Sequence, residues 1–442
     1  MKSELNLDIP TFYSIRELRK QINDTYNLNI RKKDGEIVGV SVNILEKFRK
    51  ILPKIKRKQA NIIEFKIKLC ADGTIISRDN KVINFNFSVL NDIEKAKSAS
   101  GHYLIGTHKI LNECYEEVKL GIKDTFDVLS INENRSVTID DQSYLIKLFV
   151  CGDLKFLNIC GGINAPNSYY PCLWCTCHKK DFWDLSKEWS IVDKSKGARS
   201  LEESKALRGK KNIDERKGYL QEPIATGIEF CDYVFDELHL SLRVVYTLFQ
   251  LLLKHLQERD TTLKGKCTID ATVYVKRLND FIKNNCSAQS PILIDGNSFK
   301  FNEHMSGNNR EEILQKLDIG YLFSEITESN SIGILWKDFY DIFEKVKARE
   351  LQINEIKVRC VEWMELFLSL YHRTHVTPYI HIFVTHLWEF VERHGDISLF
   401  SQQGHEKFND ISTISYFRST NKREDYIEQL VSKRNRIELL SD

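Results

Sequence analysis

A cysteine motif, CLWC at Cys172 to Cys175, is the first feature of this 442-residue chain that could do chemistry. Two thiolates separated by two residues can bind one Zn²⁺, because a tight turn brings both sulfur atoms to one point. Cys177 and His178 lie in the same loop as alternative ligands. A single CxxC motif needs a second pair of ligands; without it the two cysteines could simply be buried thiols in a loop.

His381 and His386 could supply the second pair, because zinc fingers commonly place three to five residues between two histidines. On an ideal α-helix these two positions point about 140° apart. We therefore expect a helix start or a distorted turn, and Pro378 just upstream favours a local start. About 200 residues separate the two pairs, so a bound ion would join both ends of the segment between them, and folding would depend on metal.

Two aspartates lie where predicted strands end. EFKIKLC, from residue 64, alternates polar and apolar residues and stops at a turn-like Ala-Asp-Gly that contains Asp72. SYLIKLFV is nearly continuously apolar, as a central buried strand would be, and Asp153 follows it. Acidic residues at the ends of adjacent strands can converge on Mg²⁺, and two such ions about 4 Å apart promote phosphoryl transfer. A third carboxylate is needed, which composition cannot select among 62 Asp and Glu residues.

The hydrophobic pattern predicts an α/β fold in four segments. They are a helical, basic N-terminal segment (1–60), the first part of an α/β core (61–161), a helical zinc-binding insertion (162–395) and a closing helical part (396–442). The most apolar stretch, Leu240 to Leu253, is too short and too polar to span a bilayer, so no membrane partner is expected.

The net charge is near +2, with 64 Lys and Arg against 62 Asp and Glu. This balance excludes a uniformly basic nucleic-acid binder but permits a local basic groove. Three clusters could contact phosphates: Lys47 to Lys58, Arg208 to Lys217 and Arg418 to Arg436. The alternative is that they are ordinary solvated helix faces.

The cysteine count and the N-terminal residues bear on the compartment. Eleven cysteines is an odd number, and MKSELNLDIP lacks the apolar run of a secretory signal. We therefore expect reduced thiols or metal ligands in an intracellular protein. The first basic cluster contains PKIKRK, which resembles a nuclear-import signal, so the expected location is nuclear.

The run from Asp153 through CLWC to HIFVTHLWEFVERHGDISLFSQQGHEKFND resembles the catalytic core of the recombination-activating recombinase of V(D)J joining and of the related Transib transposases. Three spacings match the family: from Asp153 to the CxxC motif, between His381 and His386, and from His386 to Glu406. So do the leucine-histidine helix at Glu237-Leu238-His239 and the Asp-Gly pair at Asp72. The resemblance covers about residues 60–435.

This resemblance implies a ribonuclease-H-like mixed sheet with a large, mostly helical zinc-binding insertion. Asp72, Asp153 and Glu406 would hold catalytic Mg²⁺ or Mn²⁺, and His239 would be a core histidine rather than a ligand. The predicted structural zinc ligands are Cys172, Cys175, His381 and His386. The competing acids are Asp79 in place of Asp72 and Asp140 or Asp141 in place of Asp153, whereas Gln402 and Gln403 are poor anionic ligands beside Glu406.

The function implied is that of a DDE-type DNA transposase or recombinase, which nicks one strand and lets the freed 3′ hydroxyl attack another phosphodiester. Its partners would be DNA and a second copy of the chain. The family has a DNA-binding and dimerisation domain upstream of its core, and the roughly 60 residues before the predicted core are too few for all of it. A separate DNA-binding partner is therefore a further expectation. The alternative is a catalytically inactive domesticated relic that acts as a zinc-stabilised nucleic-acid-binding or scaffold protein. A zinc hydrolase is disfavoured, because four protein ligands leave no position for water.

Overall fold

Eight strands form one curled mixed sheet, and a large helical region packs beside it. The computed structural model describes residues 10–59, 61–131, 135–260, 268–286, 288, 291–296, 298–302, 305, 307–323 and 326–440. The strands are β1 (Leu28–Lys33), β2 (Glu36–Val42), β3 (Glu64–Ser77), β4 (Asn80–Val89), β5 (Tyr103–Lys109), β6 (Ser136–Ile139), β7 (Gln142–Gly152), β8 (Tyr233–Phe235), β9 (Ile292–Asp295) and β10 (Ser298–Phe301).

The main sheet has the order β1-β2-β5-β4-β3-β7-β6, and β8 also pairs with β7. Strands β3, β4 and β5 are antiparallel neighbours, whereas β3, β7 and β8 run parallel to one another. The carboxyl ends of β7 and β8 therefore lie at the same edge of the sheet, beside the later part of β3. Strands β9 and β10 form a separate antiparallel pair.

Helices make up most of the remaining chain. They are α1 (Phe12–Asp24), α2 (Ile44–Lys58), α3 (Ile93–Ala96), α4 (Tyr115–Ile131), α5 (Leu154–Cys160), α6 (Leu201–Leu207), α7 (Ile213–Arg216), α8 (Glu237–Arg259), α9 (Tyr274–Asn285), α10 (Gly307–Lys316), α11 (Ile319–Leu322), α12 (Ile326–Ala348), α13 (Ile353–Leu370), α14 (Pro378–His381), α15 (Leu387–His394), α16 (Gln403–Ser419) and α17 (Tyr426–Leu440). Among the described residues, no helix combines the length and the apolar character needed to cross a membrane.

The expected strand end at Asp72 is wrong. Strand β3 continues to Ser77, and Asp72 pairs with Asn84 of β4 inside the ladder. The Asp-Gly dipeptide that indicates a turn is here held extended by pairing with β4, and the chain reverses at residues 78–79 instead. Tertiary pairing has overridden a local turn signal.

The N-terminal segment contains more than the predicted helices. Strands β1 and β2 form a hairpin, and β2 pairs with β5, which extends the main sheet. Helix α2 is amphipathic, and its apolar side is buried in the core. Lys47, which was assigned to a basic cluster, is fully buried and binds Glu438 of α17, so it cannot contact a phosphate.

The predicted helical insertion is also less uniform than expected. Strand β8 lies inside residues 162–395, yet it belongs to the main sheet. Ahead of it, the described chain between α5 and β8 is mostly loop with short helices, and helix α8 begins directly after it. One continuous hydrophobic core runs from the sheet through the helical region, and a smaller cluster lies under α16 and α17.

Candidate metal centre and acidic site

Four predicted ligands meet in one place. The ligand atoms of Cys172, Cys175, His381 and His386 all lie within 4.8 Å of one another. The Sγ atom of Cys175 is 3.3 Å from Nε2 of His381 and 3.4 Å from Nε2 of His386, and Sγ of Cys172 is 3.7 Å from the latter atom. Zinc–sulfur and zinc–nitrogen bond lengths place sulfur and nitrogen about 3.6 Å apart on a tetrahedron. The group therefore fits a closed, four-ligand metal site.

A π-helical turn resolves the spacing of the two histidines. Helix α14 begins at Pro378 and is capped by the side chain of Thr377, and residues Ile382–His386 then form the π-helical turn. Because a π-helix places residues five apart on nearly the same face, His381 and His386 both turn towards the cysteines. The expectation of a helix start or a distorted turn is confirmed, and the chain has both.

Partners outside the ligand group orient the imidazoles. His386 Nδ1 lies 3.1 Å from Oε2 of buried Glu389, which also accepts from the backbone N–H of Ile191. His381 Nδ1 lies 3.3 Å from the hydroxyl of Thr385. Such contacts fix which ring nitrogen faces the ion. Sequence reasoning missed Glu389, although its place one helical turn after His386 is a usable signal.

The alternative ligands in the cysteine loop stay outside this group. Cys177 Sγ donates to the backbone carbonyl of His178, and His178 Nδ1 accepts from the N–H of Lys180. Burial raises the pKa of Cys172, but hydrogen bonds with Cys175, His381 and His386 outweigh burial. The net shift of that pKa is therefore strongly downward. A thiolate, the form that binds zinc, is therefore favoured at Cys172.

Asp72, within β3, and Asp153, directly after β7, are neighbours towards the carboxyl ends of these two parallel strands, a region called the acidic edge below. Strands β3 and β7 are parallel, and their register ends at the pair Cys70 and Cys151, two residues before each aspartate. Asp153 also caps helix α5, and its Oδ1 accepts from the N–H of Phe156 at 2.7 Å. Parallel strands thus bring together two acids that are 81 positions apart in the sequence.

Helix α16 places Glu406 across the same edge. The N–H of Gln402 donates to Oδ1 of Asp236 at 2.7 Å, and its side-chain amide donates to the carbonyl of Cys151 at 3.1 Å. One turn after Glu406, the Asn409 amide donates to Oδ2 of Asp72 at 3.2 Å. Gln402 therefore docks the helix and is not an alternative to Glu406.

Asp72 is close enough to the other two acids for their charges to affect its ionisation. Burial and the charges of Asp153, Glu113 and Glu406 together raise the pKa of Asp72 to about 7, although His239 acts in the opposite direction. Burial also raises the pKa of Glu406. Within the described part of the chain, the three carboxylates do not bring their oxygens within 4.8 Å of one another as one group. A site for two ions about 4 Å apart does not require this, because its ligands lie on different sides of the pair.

Two more acids at this end of the sheet were missed from the sequence. Glu113, after β5, pairs with Lys155 at 2.8 Å. Asp236 follows β8, next in register to Asp153, and its buried carboxylate accepts from the N–H of Leu238. A short apolar strand followed by an acid, as at Tyr233-Val234-Phe235-Asp236, is the signal that could have found it.

The expectation that His239 is a core histidine does not describe its position. Its Nδ1 pairs with Oδ2 of Asp236, one turn earlier on α8. Burial lowers the pKa of His239, but that hydrogen bond and the charges of Asp236, Asp153 and Glu406 outweigh burial and raise the pKa to about 9. His239 is therefore a cation at neutral pH beside the acids.

The competing acids lie elsewhere. Asp79 is in the turn between β3 and β4. Asp140 and Asp141 form the turn between β6 and β7, with φ angles of 48° and 64°, at the opposite end of β7 from Asp153. Asp140 and Asp141 therefore cannot reach Glu406, and Asp79 lies seven residues beyond Asp72, past the end of β3.

The chain matches no protein-family model, and it gives no match among curated proteins. The interpretation of the acidic edge therefore depends on its geometry and on the resemblance in spacing.

Proposed function

We propose that this chain is a DDE-type, metal-dependent DNA-cleaving and strand-transferring enzyme of the transposase kind. Asp72, Asp153 and Glu406 would hold Mg²⁺ or Mn²⁺. The observation that supports this most is that parallel strands set two acids side by side and a helix with a third acid docks across them. Sheet-edge carboxylates of this kind provide the hard oxygen ligands that both ions prefer.

A ribonuclease-H-like core is part of this proposal. Three antiparallel strands, β5, β4 and β3, are followed by two parallel ones, β7 and β8. Acids lie in β3 or directly after the parallel strands, and a helix that carries a further acid packs against them. This arrangement supports the resemblance that the spacing alone suggested.

In the proposed reaction, water attacks a phosphodiester and displaces its 3′ oxygen, which gives a 5′ phosphate and a free 3′ hydroxyl. That hydroxyl then attacks a second phosphodiester and displaces the 3′ oxygen there, so one phosphodiester forms as another breaks. The bound ions would supply Lewis acidity for the attacking and leaving oxygens. Asn409 keeps the Asp72 carboxylate turned towards the site, and Asp236 holds His239 as a cation near it. His239 therefore offsets part of the negative charge of the acids.

The partners implied are DNA and a second copy of the chain, because two DNA ends must be joined. Of the C-terminal basic cluster, Arg418, Lys422 and Arg423 are exposed beyond Glu406 and suit phosphate contacts. By contrast, Arg434 is bound internally to Glu438. A nuclear location belongs to the same proposal, since it would bring the enzyme to its substrate.

A second candidate is a catalytically inactive relic with a zinc-stabilised scaffold or nucleic-acid-binding role. It is favoured by the spread of the three carboxylates, which do not meet as one tight group within the described residues. The closed Cys/His group, whose four ligands are buried, would serve a structural role in either case.

A nicking assay on supercoiled DNA with Mn²⁺ distinguishes these candidates. Glu406→Gln removes an anionic ligand with little change in size, and we expect at least a hundredfold loss of nicking. Glu392→Gln alters an exposed acid on α15 and should nick like wild type. Equal residual nicking by wild type and Glu406→Gln would contradict the enzyme proposal and favour the relic.

A further inference from the structure

A second Cys/His cluster lies directly behind the acidic edge. The ligand atoms of Cys70, His102 and His405 all lie within 4.8 Å of one another, and all three residues are buried. Cys70 is in β3, His102 immediately precedes β5, and His405 is in the first turn of α16. The cluster therefore joins three elements that are distant in the sequence.

Its geometry matches a metal site. The Sγ atom of Cys70 is 3.7 Å from Nδ1 of His102 and 3.6 Å from Nδ1 of His405. These distances equal the tetrahedral sulfur–nitrogen separation of about 3.6 Å expected around zinc. They also match the 3.3 to 3.7 Å separations in the group built on Cys172 and Cys175.

Asn86 supplies a fourth donor. Its side chain is buried, its amide nitrogen is 3.0 Å from Nδ1 of His405, and its Oδ1 has no hydrogen-bond partner. The nitrogen and oxygen of such an amide exchange places by a half-turn. That rotation would turn Oδ1 towards the position where one metal ion could contact the Cys70 sulfur and the two ring nitrogens.

A buried lysine lies close to the thiol of Cys70 on the same strand. Buried Lys68, two residues before Cys70 on β3, donates to the backbone carbonyls of Leu399 and Ser401. Burial raises the pKa of Cys70 to about 12 and outweighs the charge of Lys68, which lowers that pKa, so a metal ion that binds there must displace the thiol proton.

We propose that Cys70, His102 and His405 bind one transition-metal ion, with zinc expected first and Asn86 as fourth ligand. One thiolate and two imidazoles suit zinc or copper, whereas Mg²⁺ prefers oxygen ligands. Because the site is fully buried, its role is structural. A bound ion would hold α16 against β3. It would thereby set the distance between Asp72, two residues after Cys70, and Glu406, the residue after His405. The proposal holds whether or not the acidic edge is catalytic.

Metal content per chain, measured by elemental mass spectrometry on purified full-length protein, tests this site. We expect Cys70→Ala to lose one metal equivalent relative to wild type. Cys151→Ala is the matched control, because Cys151 is equally buried and pairs with Cys70 across β3 and β7, yet its thiol donates to the carbonyl of Phe400. The control should keep the wild-type content.

Unchanged metal content in Cys70→Ala would overturn the proposal. If that variant does not fold, His102→Gln asks the same question from a different element, and unchanged content there would also overturn it. Combining either change with Cys175→Ser should remove a further equivalent, because the two clusters share no ligand. Copper in place of zinc, lost on the same substitutions, would support the site and identify its ion.

Discussion

At the residue scale, several carboxylates of like charge lie close together at the acidic edge, and a few hydrogen bonds hold them in place. Asp72 accepts a hydrogen bond from Asn409, Asp153 from a helix N–H, and Asp236 holds His239 as a nearby cation. Without metal, ionising Asp72 is unfavourable, because burial and the neighbouring negative charges both oppose it. A divalent ion would reverse that penalty.

The raised pKa of Asp72 predicts that the stability of the fold depends on pH. Asp72 has a folded pKa of about 7, above its usual value of about 4, so the folded state binds more protons than the unfolded state between these pH values. The free energy of unfolding of metal-free protein should therefore fall as pH rises from about 4 to about 7, by at most about 4 kcal/mol from this group. Denaturant titrations across this range measure it.

Two comparisons check the cause. Asp72→Asn should flatten the decline, because the side chain no longer ionises. Adding Mn²⁺ should stabilise wild type more at pH 7.5 than at pH 5, and should stabilise Asp72→Asn less. A decline of the same size in Asp72→Asn would mean that other groups cause it.

At the element scale, a buried ion pair joins the two ends of the described chain. Lys47 of α2 and Glu438 of α17 are 2.6 Å apart and almost fully buried, and Glu438 also accepts from the N–H of Leu104 in β5. Arg434 binds the same carboxylate. The pair therefore sets how α2 and α17 lie on the sheet.

Removing one partner should be costly. Glu438→Ala leaves the Lys47 ammonium buried without its acid, and we expect a loss of about 3–5 kcal/mol in the free energy of unfolding. Lys58→Ala, at the exposed end of α2, should change stability by no more than about 0.5 kcal/mol.

Replacing both partners gives the sharper comparison. Lys47→Met together with Glu438→Leu should recover most of the loss, because apolar residues of similar volume avoid the cost of dehydrating two charges. Urea denaturation measures all four proteins. A double variant as unstable as Glu438→Ala would show that the hydrogen bonds of Glu438, rather than the charge pair, hold α17 in place.

At the scale of the whole molecule, the Cys172/Cys175 and His381/His386 group connects chain segments about 200 residues apart. One segment is the loop after α5, and the other is the π-helical turn between α14 and α15. A bound ion would thus stabilise the packing of the helical region against the sheet, because metal bound only by the folded state adds to folding free energy.

Loss of this ion should affect the entire fold. Cys175→Ser should reduce metal content by one equivalent and lower the melting temperature by more than 5 °C, and a strong chelator, which would remove this ion together with any other, should lower the melting temperature of wild type at least as much. Cys177→Ser alters a buried neighbour outside the group and should retain the metal. Unchanged metal content and unchanged melting in Cys175→Ser would contradict the assignment. Calorimetry measures the melting temperature, and elemental analysis measures the metal content of each protein.

Local pattern alone was sufficient for several features. The alternation in β3, the apolar run of β7 and the helices after residue 300 follow from the periodicity of nearby residues. The CxxC turn and the need for a distorted helix at His381 and His386 follow from spacing, because a helix has a fixed number of residues per turn. These are properties of short segments, which neighbouring residues determine.

Only the tertiary structure decided which distant side chains meet. Strand β3 runs through Asp72 because β4 pairs with it, and its parallel register with β7 sets Asp72 beside Asp153. Packing of α16 brings His405 to Cys70, and packing of α17 buries Lys47. Acids, lysines and single histidines are too common in the sequence to reveal such meetings, because proximity across elements depends on register and packing between segments that no local pattern encodes.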